Sequence, residues 1–126
     1  MAHRGIHTII DFSNFFIRPK NLHAACNNLL TSYKFFANKN NLNVVGQNHK
    51  VFDNTIKSPN GFTLVLLLDE SHISTHVYTD IGLLALDIFT CAGNPEHHIN
   101  TTQNISDFLV NNYDAIIDKK HTIDRF

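Results

Sequence analysis

The sequence has few cysteines, no run of basic residues and no long apolar run, and each of these absences argues against a class of protein. Its 126 residues include two cysteines, Cys26 and Cys91, too few for a disulfide framework, which favours a reducing compartment. Ten basic side chains nearly balance eleven acidic ones without any basic run, which argues against binding nucleic acid through bulk charge. The longest apolar run, Phe62 to Leu68, is too short to span a membrane, and no signal-peptide pattern follows the N-terminus. We therefore expect a cytoplasmic protein with no nucleic-acid or membrane partner.

The apolar residues predict one domain, residues 1–126, with the order β-α-β-β-β-β-α-β and neither repeat nor linker. Strands are expected at residues 7–12, 43–47, 62–68, 74–79, 83–90 and 116–123. The first helix is indicated by apolar residues recurring at spacings of three and four: Leu22, Ala25, Cys26, Leu29, Leu30, Tyr33 and Phe36. The second helix is indicated by Ile105, Phe108 and Leu109.

This order predicts an α+β fold, a two-layer antiparallel sheet with both helices on one face. The other face of the sheet would then be bare, although alternate residues of the apolar strand at 62–68 point toward it. Pairing with a second copy would bury that face. We therefore expect a homodimer, a four-layer α/β/β/α sandwich with a two-fold axis.

The most informative segment lies in the second half of the chain. It contains Glu70-Ser71-His72-Ile73-Ser74-Thr75-His76 and, further on, Asp87-Ile88-Phe89-Thr90-Cys91. A Ser, a His five residues later and a Cys twenty residues later do not form a metal-binding pattern, because paired ligands at zinc spacing are missing. Taken singly, the three are an ordinary turn residue, a surface strand residue and a small core residue. Their combination is more specific.

Together with Gly82, Ser58-Pro59-Asn60-Gly61-Phe62-Thr63 and Gly5-x-His7-x-x-x-Asp11, this segment resembles the bacterial-type S-adenosylmethionine decarboxylase family. The resemblance implies a proenzyme that cuts itself between Glu70 and Ser71 into fragments 1–70 and 71–126. Its cofactor would be pyruvate, present as a covalent pyruvoyl group formed from Ser71. The implied reaction, decarboxylation of S-adenosylmethionine, supplies the aminopropyl donor for polyamine (spermidine) biosynthesis.

The resemblance also implies residue roles. Ser71 attacks the preceding carbonyl, and the resulting pyruvoyl group forms a Schiff base with the substrate's amine. His76 matches the processing base that removes the Ser71 α-proton, and Thr63 stands where the family often has Ser and supports processing. Cys91 matches the proton donor, since a thiol with a pKa of about 8.5 can hold and release a proton near neutrality. Asp80 takes the place of an acidic residue that binds the ribose hydroxyls.

The family pattern is altered where the adenine would stack. Lys57 stands where the family commonly has an aromatic residue, and Phe62 or Tyr78 are the alternatives for stacking. Ala92 replaces the Gly that usually follows the Cys. A related set of pyruvoyl enzymes with the same fold decarboxylates arginine or ornithine and keeps the processing residues with a different pocket. That substrate class is therefore an alternative.

A non-enzymatic relative is a third possibility, against which the intact Ser71, His76 and Cys91 argue. In larger family members this protomer looks duplicated and fused, which implies active sites shared between two chains. In that arrangement Ser71 and Cys91 of one chain would meet residues of the other: Thr63, His76 and Asp80.

Overall fold

The computed structural model describes residues 4–52, 60–91 and 93–126. Its elements follow the expected order, with a short 3-10 turn at Pro19–Asn21 before the first helix. The strands are β1 (Gly5–Ser13), β2 (Val44–Phe52), β3 (Gly61–Leu68), β4 (Ser71–Tyr78), β5 (Leu83–Cys91) and β6 (Ile116–Arg125). The helices are α1 (Leu22–Lys39) and α2 (Pro95–Tyr113). The sequence-based expectation for β2 was too short, because its later half lacks an apolar pattern.

The six strands form one antiparallel sheet in the order β2-β3-β4-β5-β1-β6. Both helices pack on the same face. From α1, the buried hydroxyl of Tyr33 lies 2.9 Å from the hydroxyl of Thr75 on β4. From α2, the ring of His98 contacts the hydroxyls of Thr8 on β1 and Thr90 on β5. The predicted α+β fold with helices on one face is confirmed.

Alternation along β3 separates the core from the opposite side of the sheet. Its even-numbered residues are buried beneath the helices: Phe62, Leu64, Leu66 and Leu68. Its odd-numbered residues point to the side that no described helix covers, here called the open face: Thr63, Val65 and Leu67. This period of two follows from the pleat of the strand.

Helix boundaries have local causes. The side chain of Asn94 accepts a hydrogen bond from the backbone N–H of Glu96 at 3.1 Å, and Pro95 occupies the first turn of α2. The helix ends at Asp114, whose φ of 59° lies in the left-handed region. These caps fix both ends of α2, whose first residue, Pro95, follows Cys91 at the end of β5 by four positions.

Candidate active site

The connection between β3 and β4 holds Ser71 at the start of a strand. Leu68 pairs with Ser71, so only Asp69 and Glu70 form the turn. Glu70 has a φ of 59°, a conformation that costs energy for a residue with a side chain. The hydroxyl of Ser71 donates to the backbone carbonyl of Asp69 at 3.0 Å. The hydroxyl thus lies over the turn, one peptide unit from the carbonyl of Glu70.

Asn43, just before β2, holds this turn from the side. Its carbonyl accepts a hydrogen bond from the N–H of Asp69 at 3.0 Å, and its side-chain amide donates to the Asp69 carboxylate at 2.8 Å. The sequence analysis gave Asn43 no role, because 26 residues separate the two side chains. The turn that contains the left-handed Glu70 is therefore anchored, through Asp69, by a residue just before a neighbouring strand.

Cys91 lies at the same end of the sheet as Ser71. The β4–β5 register pairs His72 with Phe89, so the end of β5 lies beside the start of β4. Cys91 is exposed on the open face and pairs with Gly5, which has no side chain to cover it. The other thiol, Cys26, is buried in α1, and burial raises its pKa to about 11. Of the two thiols, only Cys91 is placed to exchange a proton with a bound molecule.

Thr63 and His76 form a second cluster. They face each other across β3 and β4, and the Thr63 Oγ1 lies 2.5 Å from the His76 Nδ1. The ring of Tyr78 meets the His76 ring edge-on, with ring centroids 4.6 Å apart, and the centroid of the Phe52 ring lies 5.8 Å from that of His76. His76 is thus held by a hydroxyl and two aromatic rings on the open face.

Asp80 lies at the same end of the sheet as this second cluster. Its carboxylate accepts hydrogen bonds from the backbone N–H of Asn60 at 2.9 Å and from the Asn60 side chain at 3.2 Å. Its role as a ribose ligand stays a prediction. Lys57 lies outside the described residues.

Phe62 and Tyr78 were the two alternatives for stacking on the adenine, and the alternative of Phe62 is wrong. Its side chain is fully buried on the helix face, because its position in β3 has the parity of the core residues. Tyr78 lies on the open face beside His76. The sequence showed an apolar strand, but only the register of the sheet shows which alternate residues face the helices.

Within one chain the predicted site residues fall into two groups. Ser71 and Cys91 lie at one end of the sheet, and the Thr63–His76 pair lies further along the strands. His76 is five residues from Ser71 on β4, which corresponds to roughly 16 Å at the usual rise of an antiparallel strand. The structure therefore does not bring His76 and Ser71 together in a single chain.

A further cluster on the open face was not predicted. The Nε2 of His7 lies 3.0 Å from the Asp87 carboxylate, and the guanidinium of Arg125 lies 3.4 Å from the His7 Nδ1. Phe89 packs beneath them, with the His7 ring edge-on at 6.0 Å and the Arg125 guanidinium 5.6 Å from its centroid. His7, Asp87 and Phe89 belong to the quoted motifs, but their contact depends on strands that are about eighty residues apart.

A buried polar network on the helix face was also missed. His98 is almost fully buried, and its two ring nitrogens contact the hydroxyls of Thr8 at 2.7 Å and Thr90 at 2.8 Å. Burial, with smaller contributions from the charges of His7 and Lys120, lowers the pKa of His98 to about 4. His98 is therefore neutral at physiological pH, directly behind the strand end that carries Cys91.

Residues 4–52, 60–91 and 93–126 contain neither a membrane-spanning helix nor a metal-binding cluster. No helix there is long and apolar enough to cross a membrane. No group of three or more His, Cys, Asp or Glu side chains there is placed to hold a metal ion.

Comparisons with known proteins give a consistent result. The sequence model of the S-adenosylmethionine decarboxylase family matches residues 6–115 of this chain. An S-adenosylmethionine decarboxylase proenzyme of Methanococcus aeolicus is 52% identical over 54 residues, 41% of this chain and 44% of the relative. A proenzyme of the same name from Methanococcus vannielii is 43% identical over 68 residues, 52% of this chain and 53% of the relative. The chain thus spans about half the length of the curated relatives it matches.

The fold also matches a solved structure. The crystal structure of the adenosylmethionine decarboxylase from Aquifex aeolicus superposes with a TM-score of 0.68 and covers 99% of this chain and 91% of the other. The two sequences are 21% identical. This likeness supports the architecture rather than any detail of the site.

Proposed function

Because the chain belongs to the S-adenosylmethionine decarboxylase family, we propose that it is a self-processing, pyruvoyl-dependent decarboxylase of S-adenosylmethionine. The observation that carries the proposal is the Ser71 hydroxyl over a turn whose preceding residue, Glu70, has left-handed backbone. Cleavage between them divides the single domain into fragments 1–70 and 71–126. The product is the aminopropyl donor for polyamine synthesis.

The cleavage step follows from the chemistry of the turn. The Ser71 oxygen adds to the carbonyl carbon of Glu70 and displaces the amide nitrogen, which leaves an ester. A base, His76 in this proposal, removes the α-proton of Ser71, and the ester breaks to free the carboxyl group of Glu70. Water then converts the new N-terminal residue to a pyruvoyl group and releases ammonia. The strained backbone at Glu70 favours the first step, since cleavage relieves it.

Residues at the same sheet end fit such a group. When formed, the pyruvoyl carbonyl withdraws electrons from the substrate's α-carbon as the carboxylate leaves. Cys91 then gives its proton to that carbon, for which its exposed position beside the start of β4 is suited. Asp80 and Tyr78 are the described residues proposed to meet the nucleoside.

The proposed active unit is a homodimer with shared sites. The open face carries apolar side chains such as Val65, Leu67 and Leu83, and a second copy of the same face would cover them. A two-fold axis across this face brings the Ser71 end of one sheet toward the His76 region of the other. The four-layer sandwich would thus unite the two groups that one chain keeps apart. We place this dimer in the cytoplasm, acting on a small molecule.

Self-cleavage is tested directly by denaturing mass spectrometry of the purified protein. We expect two fragments, divided after Glu70, with a pyruvoyl group in place of Ser71. Ser71→Ala should remain one chain, whereas Ser32→Ala, which removes the same hydroxyl from α1, should cleave normally. A wild-type chain that stays at full length after long incubation at neutral pH would refute the proposal.

The substrate is tested by carbon dioxide release from labelled S-adenosylmethionine, arginine and ornithine, each supplied alone. Release from S-adenosylmethionine is expected. The alternative, a basic amino acid, is favoured by one observation, Lys57 at a position where the family commonly has an aromatic residue. Release from arginine or ornithine alone would establish that alternative and leave the self-cleavage mechanism intact.

A further inference from the structure

Arg125 is held in place on the open face by a chain of three side chains. A carboxylate only accepts hydrogen bonds, so the His7 Nε2 donates to Asp87 at 3.0 Å. The other ring nitrogen, Nδ1, then has a free lone pair, and the Arg125 guanidinium donates to it at 3.4 Å. The chain crosses three strands, from β6 through β1 to β5, and it fixes a long side chain that would otherwise move freely.

The positive charge of this arginine is not neutralised by its neighbours. Its guanidinium contacts a nitrogen of His7 and lies 5.6 Å from the centroids of the Phe89 and Phe126 rings. In the described ranges, no carboxylate lies at ion-pair distance from the guanidinium. The carboxylate of Asp87 pairs with His7 instead. An arginine stays charged at any physiological pH. The cluster therefore presents an oriented cation with free donors.

This cation lies beside the proposed chemistry. Arg125 pairs with Gly5, and Gly5 pairs with Cys91, so the three residues form one row across the sheet. Adjacent strands lie about 4.8 Å apart, which puts the Arg125 and Cys91 backbones roughly 10 Å from each other, within reach of an extended arginine. The Phe89 ring lies directly over Gly5, where an added Cβ would be 2.5 Å from it, so this ring forms the surface between Arg125 and Cys91.

From this geometry we infer that Arg125, positioned by His7 and Asp87, binds the α-carboxylate of the amino-acid substrate. The substrate's α-carbon must come near the Cys91 thiol to receive its proton, and the carboxylate is attached to that carbon. A guanidinium binds a carboxylate through two parallel hydrogen bonds, which would orient the bond to be broken. The inference rests on the proposed function, and it holds for S-adenosylmethionine and for a basic amino acid alike.

The assignment predicts a particular kinetic signature. The carboxylate is present in the bound substrate and is lost as carbon dioxide, so Arg125 contributes to binding more than to the chemical step. Arg125→Gln should raise KM about 10- to 100-fold and change kcat by less than about threefold, as expected for loss of charge-assisted hydrogen bonds. Arg125→Lys should recover part of this loss. His7→Gln should raise KM by a smaller factor, because it frees the guanidinium without removing it.

A ligand without the carboxylate provides the sharpest test. The decarboxylated substrate, used as a competitive inhibitor, should bind the wild type and Arg125→Gln with equal inhibition constants. Lys120→Gln is the matched control, since Lys120 carries a similar charge on β6 but has the parity of the helix face. It should leave every constant unchanged, and all variants should cleave themselves at the wild-type rate.

The outcomes separate the two proposals. An unchanged KM in Arg125→Gln, or an equal loss of affinity for the substrate and its decarboxylated form, overturns the carboxylate assignment alone. The same holds if Lys120→Gln raises KM as much as Arg125→Gln does. A wild type that neither cleaves itself nor releases carbon dioxide from any of the three amino acids overturns the proposed function and this assignment with it.

Discussion

Two cysteines of identical chemistry have different surroundings in this fold. Cys26 faces the core from α1, where no water can stabilise a thiolate, and the pKa of its thiol is raised to about 11. Cys91 is exposed at the end of β5. The difference comes from the face that each residue occupies rather than from its sequence neighbours. Of the two thiols, Cys91 is therefore the one that can serve as the proposed proton donor.

Replacing Cys91 with alanine should therefore impair turnover while sparing the fold. We expect kcat to fall on the order of 10²-fold, as for the loss of a general acid, with little change in the melting temperature. Steady-state carbon dioxide release and thermal unfolding measure the two effects. Cys26→Ala is the matched control. It should lower the melting temperature and leave kcat unchanged. Normal turnover in Cys91→Ala would remove this residue from the mechanism.

His98 is the residue whose ionisation is coupled to stability. Its pKa is about 4 in the folded chain and about 6.5 when unfolded, because folding buries the ring. Between these values the unfolded chain binds a proton that the folded chain does not, so stability decreases as pH falls from about 6.5 to about 4. Above pH 6.5 this ionisation costs the folded chain no stability. As the pH falls to about 4, the free energy of unfolding decreases by an amount that approaches about 3 kcal/mol.

This dependence can be isolated by urea unfolding at pH values from 4.5 to 7.5. The wild type should lose free energy of unfolding toward low pH more steeply than His98→Gln, which has no ring to protonate. His97→Gln, at the preceding and partly exposed position, should keep the wild-type slope. Equal slopes in the wild type and His98→Gln would show that another group causes the acid loss.

At the scale of elements, the β3–β4 hairpin depends on a residue outside it. The left-handed conformation of Glu70 is unfavourable, and Asn43 holds the neighbouring Asp69 through one backbone and one side-chain hydrogen bond. Such anchoring would keep the strained backbone in place until the Ser71 hydroxyl reacts in the proposed cleavage. The conformation of the turn proposed to cleave itself thus depends on Asn43 as well as on the hairpin.

Asn43→Ala should slow self-cleavage without abolishing it. The side-chain hydrogen bond is lost and the backbone one remains, so a decrease of about two- to tenfold in the cleavage rate is expected. The rate is measured from fragment bands after synthesis of the uncut chain in a cell-free system. Asn112→Ala, at an exposed position on α2, should cleave at the wild-type rate. A wild-type rate in Asn43→Ala would show that the hairpin holds its strain alone.

At the scale of the whole molecule, the predicted site residues of one chain lie at two different places along the sheet. Ser71 and Cys91 mark one, and the Thr63–His76 pair marks the other. A single sheet cannot bend enough to join them, because the strands between them are continuous. In the proposed dimer, a second copy related by a two-fold axis would join them without any change of fold.

Complementation tests this sharing. Ser71→Ala and His76→Ala chains should each stay uncut when expressed alone. In a mixed dimer with shared sites, one site carries both defects and the other carries neither. Some His76→Ala chains should then cleave, and some decarboxylation should return. Mixed dimers that form but remain uncut and inactive would show that the residues act within one chain.

Local patterns determined the elements and their order. The spacings of three and four from Leu22 to Phe36 indicated α1, and the unbroken apolar run at 62–68 indicated a central strand, because periodicity reflects local geometry. The residues around Glu70 and Ser71 also sufficed to indicate the family, since their chemistry requires fixed spacing. Boundaries in polar stretches, such as the second half of β2, gave no such signal.

Contacts between distant strands were decided only by the tertiary structure. β1 lies between β5 and β6, and this order brings His7 to Asp87 and Arg125 into the row of Cys91. The same register buries Phe62 and places Tyr78 on the open face. A shift of one residue in pairing would reverse these faces, and no local pattern fixes which distant strand becomes a neighbour. The sequence alone therefore determined which elements form, and packing decided which side chains meet.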